Sequence, residues 1–485
     1  MSLRSLARAS ALYTFGNIAP KIGAFILLPI YVTFLSPADY GTLALLASLA
    51  AVLAIIYHLG IDASLMRLHF DTQGRARGRL YGSATLFTLS LASLLTIVLA
   101  VTIGPFFEEL FAGTPFIPLG ALALLLALVG SVGYVPSTLF RASGQATRFL
   151  LVNLGAFVIS SVVSVILVVF FGLGAAGVLT GQLIGSTAVA LVAIAIVARL
   201  GAWEIDINVL RPALRLGLPL LPHAVSGWAL RLADRWLIIG LIGLPALEAR
   251  TQVGIYSLGY QLGFIVSIVL QSFNSAWSPY FYRSGSTEQG PQLHGAMTTL
   301  VVGGLLVLAV GVSTLAPEIV AVVARPDYDQ AAEVVPVIAF AYAIQGLYVM
   351  FVAATFLMKR TERLAPITFA AAILNVALNV ALLPVFGIMG AAWATLGAYA
   401  FFAVATYLLG RRLYPLRVDA WTLVLLAVGA VAVVLVARLI PGPSPAAGAF
   451  HLLFAVGYAG AVAFVCRGPL ARLRSAERAL RAAQG

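Results

Sequence analysis

Charge is what this chain has least of. Asp, Glu, Lys and Arg make up 9% of its 485 residues, where a soluble protein carries about a quarter. Bilayer, not water, is therefore the solvent for most of its side chains. Cysteine occurs once, as Cys466, which excludes a disulfide within the chain. Lysine occurs only as Lys21, after Pro20, and Lys359, after Met358. No Gly-Lys-Ser/Thr phosphate loop exists, so ATP hydrolysis by that route is excluded. The histidines (His58, His69, His223, His294, His451) are scattered without ligand spacing, so no metal site and no cofactor are expected. Nor is there room for a soluble catalytic module. The gaps between apolar stretches stay below roughly 20 residues, short of the 50 or so a folded domain needs.

What the chain has instead is apolar length. Its mean hydropathy is +1.03. About fourteen stretches approach the ~20 residues of a bilayer helix. They lie at 11–33, 41–61, 81–103, 117–138, 149–170, 177–198, 218–242, 253–275, 297–316, 334–357, 365–385, 390–410, 419–440 and 448–466. Arg4 and Arg8 could open a signal peptide. Asn17, Pro20 and Lys21 interrupt the apolar run and no small-residue cleavage site closes it, so it reads as the first span. Arginine then falls in alternate gaps, and the opposite gaps hold only Arg250, Arg325 and Arg438. That bias predicts an all-α polytopic membrane protein with both termini in the cytoplasm. The net charge of +12 sits in short clusters flanking apolar spans. Anionic membrane lipid, not nucleic acid, is the partner this implies.

An internal repeat divides the chain. Phe171-Gly172 recurs as Phe386-Gly387, Gly177, Gly181 and Gly185 recur as Gly390, Ala394 and Ala398, and Gly41 recurs as Gly254. The offset is about 213–215 residues, or six spans, so the two halves share one orientation. The expected organisation is a six-helix bundle over 1–216, a second over 217–417, two additional spans over 418–466 and a basic cytoplasmic tail over 467–485. Two such bundles would enclose a central cavity. The small-residue rows themselves read as close helix packing.

The few charges inside the spans carry the functional signal. Tyr13, Asn17 and Lys21 share one face of span 1. In span 7, Arg231 and Arg235 stand four residues apart with Asp234 between them, and Trp228 and His223 extend that face. An isolated charge at the bilayer centre costs at least about 2.5–3.5 kcal/mol, so these groups must face protein or water. Three cations against one acid leave a positive surplus, and a lipid-linked phosphate or diphosphate suits it. Asp234 reads either as the ion-pair partner of an arginine or as a site for a coupling cation or proton. Asp62 and Arg67, after span 2, could form a cytoplasmic gate pair or a solvated helix end. Gln271, Asn274, Gln345, Asn375 and Asn379 could bond sugar hydroxyls or tie helices together. The tail from Arg467 reads as a basic surface helix.

Several stretches carry a family likeness. Leu12-Tyr13-Thr14-Phe15-Gly16-Asn17, Leu28-Pro29-Ile30-Tyr31 and Leu35-Ser36-Pro37-Ala38-Asp39-Tyr40-Gly41 resemble the opening of bacterial polysaccharide and O-antigen exporter flippases. Gly217-Leu218-Pro219-Leu220-Leu221-Pro222, Ala233-Asp234-Arg235 and Val253-Gly254-Ile255-Tyr256-Ser257 are similar to later parts of the same family. These exporters belong to the multidrug/oligosaccharidyl-lipid/polysaccharide exporter superfamily. The resemblance implies two six-helix bundles in a MATE-like V shape in the bacterial cytoplasmic membrane. It implies alternating access and a polyprenyl-diphosphate-linked glycan as cargo, moved from inner to outer leaflet, with other polysaccharide assembly proteins as partners. Such relatives use basic residues in the central cavity, and Lys21, Arg231 and Arg235 are the positions here that could serve; Tyr13, Asn17, Trp228, Gln271 and Asn375 are the polar lining expected beside them. The rival readings are a cation-coupled multidrug antiporter using Asp234, a lipid II flippase, and a membrane-embedded glycan polymerase or ligase. The polymerase or ligase would need larger outer loops than Gly104–Phe116 and Pro317–Glu333 provide.

Overall fold

A computed structural model describes the backbone of residues 3–201 and 203–484, with side chains for 12–201 and 203–475. The side chains of Arg4, Arg8, Arg478 and Arg481 lie outside the described residues. Among those residues every regular element is helical. The first half contains α1 (Leu3–Phe34), α2 (Pro37–His58), α3 (Ile61–Asp71), α4 (Gly74–Thr102), α5 (Phe107–Leu110), α6 (Ala121–Gly130), α7 (Tyr134–Ala142), α8 (Ala146–Val169), α9 (Gly174–Leu200), α10 (Ile207–Gly217), α11 (Leu221–Leu232) and α12 (Asp234–Leu241). The second contains α13 (Ala246–Gly263), α14 (Ile265–Ser284), α15 (Gly290–Thr314), α16 (Ala316–Val323), α17 (Ala331–Leu357), α18 (Leu364–Phe386), α19 (Ile388–Leu413), α20 (Ala420–Ala437), α21 (Pro445–Val465) and α22 (Arg467–Gln484).

Thirteen helices among the described residues are long and apolar enough to cross a membrane, one fewer than the sequence suggests. The missing one is span 7. There α11 and α12 follow one another through Ala233, which keeps helical dihedrals (φ −66°, ψ −24°), and together they carry Arg231, Asp234 and Arg235, too much charge for a span counted on apolarity. Span 8 is instead longer than expected, because α13 and α14 follow each other across Phe264 over Ala246–Ser284. A chain with this many apolar spans is a multi-pass membrane protein.

The described chain forms two compact units, Met1–Gly254 and Ile255–Gly485. In the first, α8 packs along α9 and α1 lies along α8. Small residues permit the close approach: a Cβ at Gly181 or Gly185 would collide with Ser164 or Ser160 of α8. The core of this unit gathers Leu35, Leu46, Phe107, Phe111 and Leu179. α2 ends in an elbow at Leu59 (φ 48°) and Gly60 (φ 74°), from which α3 departs. The backbone of Gly217 packs against that elbow, leaving no room for a side chain at residue 60.

In the second unit α17 packs against α15 and α19. The additional spans, α20 and α21, both lie on α15, where Gly303 receives Val462, Cys466 and Leu426. His451 of α21 ties this pair down through its contacts with Glu318 Oε1 (2.9 Å) and the Ala437 carbonyl (3.2 Å).

Candidate functional site

Helix α1 runs through Pro20 and Pro29. Its rotation is set by its glycines: a Cβ at Gly23 would strike the Phe157 ring, and one at Gly16 would crowd Phe149. Pressed onto α8 in this way, α1 leaves Asn17 exposed and Lys21 half-buried, one turn apart. The Asn17 amide makes no hydrogen bond among the described residues.

Span 7 is held against α2 by one serine. Ser48 is fully buried. Its hydroxyl donates to the Leu232 carbonyl (3.1 Å) and accepts from Trp236 Nε1 (3.0 Å). The Ser48 carbonyl accepts from Trp228 Nε1 (3.0 Å). The two indoles meet edge-on, their centroids 6.5 Å apart. This clamp grips span 7 on both sides of Ala233. Arg235 Nη1 donates to the Arg231 carbonyl one turn back (2.6 Å).

The two arginines have different fates, although they lie one turn apart on the same helical face. Here Arg235 is 5% exposed and Asp234 0%, whereas Arg231 is exposed. Arg235, expected beside Lys21 and Arg231 as a docking cation, is instead packed into the protein. The guanidinium of Arg231 has no hydrogen-bond or ion-pair partner among the described residues. Lys21 and Arg231 lie near enough to act on one another electrostatically. Two helices far apart in sequence therefore bring two like charges together within membrane spans. Such a pair is tolerable only where water or an anion screens it.

The other expected site residues are placed as follows. Tyr13 donates to the Phe140 carbonyl (3.3 Å) and sets its ring edge-on to Phe149. Trp228, expected as lining, spends its N–H on Ser48. Asp62 and Arg67 are both exposed on α3, and no ion pair joins them among the described residues. Gln271 and Asn375 belong to the second unit. Gln271 Nε2 donates to Ser267 Oγ (3.0 Å). Asn375 is 0% exposed, and its backbone carbonyl accepts from Asn379 Nδ2 (2.9 Å). Ser48 carries no signal in the sequence, because one serine in an alanine- and leucine-rich helix makes no contrast with its neighbours. No cluster of three or more His, Cys, Asp or Glu positioned for a metal occurs among the described residues.

Similarity to known proteins bears on this arrangement. Among solved structures, the lipid II flippase MurJ in an inward closed conformation is similar over 95% of this chain and 99% of its own, with TM-score 0.72 and 14% identity. An inward-facing multidrug resistance MATE family transporter of the MOP superfamily is similar over 83% of this chain and 94% of its own, at TM-score 0.58 and 16% identity. A point mutant of the Vibrio cholerae MATE transporter VcmN is similar over 84% of this chain and 96% of its own, at TM-score 0.55 and 15% identity. At such identities the likeness is one of fold, and the fold is that of flippases and transporters. No curated protein matches the chain. A family model described as polysaccharide biosynthesis protein matches residues 6–284, which include α1, the Ser48 clamp and both halves of span 7. The chain belongs to the polysaccharide biosynthesis protein family.

Proposed function

We propose that this protein is a flippase for a polyprenyl-diphosphate-linked oligosaccharide, working in the bacterial cytoplasmic membrane with both termini in the cytoplasm. The observation that carries this reading is the meeting of Lys21 with an Arg231 whose guanidinium has no partner among the described residues. A diphosphate carries negative charge that complements such a pair. Arg231 can grip it through two parallel N–H bonds, while Lys21 acts as a point charge. Exposed Asn17, one turn from Lys21, offers an amide to the first sugar. The carrier's hydrocarbon tail has no need to leave the lipid. Alternating exposure of the site, with the two six-span repeats as moving parts, would carry the head group between leaflets. Membership of a polysaccharide biosynthesis family supports a glycan as the head group.

The lipid II flippase likeness is compatible with the same chemistry, since that cargo is also lipid-linked. The cation-antiporter reading finds less support, because Asp234, its coupling acid, is 0% exposed.

Cells that depend on this protein test the proposal. Lys21→Ala and Arg231→Ala should each lower glycan export about tenfold or more, with lipid-linked oligosaccharide accumulating on the inner leaflet. Full export by both variants at normal protein levels would remove the docking site.

A further inference from the structure

One cavity lies wholly inside the first unit and takes no part in the docking described above. It has a volume of about 380 Å³ and is walled by α1, α6, α8 and α9. At roughly 30 Å³ per water molecule it has space for about a dozen, and it falls in the size range of small-ligand pockets. Its place is unusual for a polar space. Ser160 and Ser161 stand near the middle of α8, and Gln182 and Ser186 near the middle of α9.

These four side chains make no hydrogen bond to the protein among the described residues. Their neighbours show the normal alternative. Thr187 Oγ1 donates to the Leu183 carbonyl (2.7 Å), and Ser164 Oγ donates to the Val178 carbonyl (3.2 Å). A hydroxyl or amide at this depth that forgoes its own helix leaves donors and acceptors for whatever fills the space. The rest of the lining is mostly apolar, with Leu27, Leu126 and the ring of Phe157 beside Tyr31. None of the lining residues carries a charge. A phosphate, a sugar acid or a drug cation would lie there without a counter-charge. A neutral sugar ring matches on every count: its hydroxyls both donate and accept, and its C–H face suits leucine and phenylalanine.

The cavity also begins one turn from Lys21. Ala24, on its wall, is three residues beyond Lys21, on the same face of α1 and about 4.5 Å along the axis. We propose that this pocket is a subsite for an uncharged sugar residue of the lipid-linked glycan, seated while the diphosphate rests on Lys21 and Arg231. The inference rests on that docking reading.

The test uses the full-length protein in lipid nanodiscs and three probes. These are polyprenyl diphosphate, the same carrier bearing one N-acetylglucosamine, and free N-acetylglucosamine. The wild type should bind the sugar-bearing carrier about tenfold more tightly than the bare one. The triple variant Ser160→Ala, Gln182→Leu, Ser186→Ala should lose that advantage while binding bare carrier as before. Where the triple variant fails to fold, Gln182→Leu alone is read in the same way. A variant that keeps the tenfold advantage overturns the subsite. Equal binding of both carriers by the wild type also overturns it, as does free sugar binding as tightly as the sugar-bearing carrier, which would make the pocket a site for soluble sugars. Failure of the docking reading looks different: Lys21→Ala with Arg231→Ala would leave bare-carrier binding unchanged.

Discussion

At the scale of single residues, the account turns on how Arg231 is aimed. It is exposed on a span that Ser48 clamps on either side of Ala233. Ser48→Ala would leave Trp236 Nε1 and the Leu232 carbonyl without their partner. Polar contacts between membrane helices average about 0.6 kcal/mol with a maximum near 1.7, so a loss of about 1 kcal/mol is expected. The check is the thermal midpoint in detergent, which should fall by a few degrees, with transport reduced as Arg231 loses its aim. Both cations of the proposed docking pair are legible in the sequence. A lysine or arginine inside a run of apolar residues stands out, and its cost in hydrocarbon says it has a role. Arg235 looks like the equal of Arg231 there, because four residues of continuous helix keep two side chains on one face. What separates them is the packing one turn further along, which covers Arg235 and which the sequence does not show.

At the scale of elements, the ends of helices and the elbow after α2 carry the expectations. α20 opens with Asp419, whose carboxylate accepts from the Thr422 backbone N–H (3.1 Å) and hydroxyl (2.9 Å). Those bonds hold its carboxyl below the usual carboxylate range. Asp419→Ala should cost about 1 kcal/mol, as loss of an N-cap does. Because the folded carboxyl titrates low, this contribution is present above the ordinary Asp value of 3.8 and is lost as pH falls below it. Denaturation midpoints of wild type and variant should therefore converge in strong acid.

α3 offers a second pH signature. His69 is buried, its Nδ1 lies 2.9 Å from the Tyr81 hydroxyl, and burial, with the nearby Arg77, pushes its pKa below 6.5. The neutral ring is the folded form. Its contribution is complete above pH 6.5 and declines as pH falls, because the unfolded chain then binds the proton more readily. Thermal midpoints of wild type and His69→Gln, measured from about pH 8 to about pH 5, should show the wild type losing more than the variant on acidification. A parallel fall would contradict the assignment. The elbow itself is invisible in the sequence, where His58-Leu59-Gly60 reads as a span running out into polar chain.

At the scale of the whole molecule, close backbone contact constrains two glycines. Gly41 and Gly254, which occupy matching positions of the two halves, pack backbone to backbone. A Cβ at Gly41 would meet the Arg250 carbonyl, and one at Gly254 the Pro37 carbonyl. A backbone oxygen cannot swing aside as a side chain can. Gly41→Val should therefore cost about 3 kcal/mol or more, at the severe end for one substitution. Loss of the monodisperse peak in size exclusion is the expected sign. The fold is readable at this scale because span length and the arginine bias both follow from the bilayer. The partition of span 7 is not readable, since the repeat assigns it to the later half while its hydrogen bonds run to Ser48 of the earlier one.

The most direct test of the central claim is the affinity of the purified protein for polyprenyl diphosphate, wild type against the double variant Lys21→Ala, Arg231→Ala. Removing both cations should weaken binding by about a hundredfold. An affinity unchanged in the double variant, with the protein correctly folded, would contradict the account.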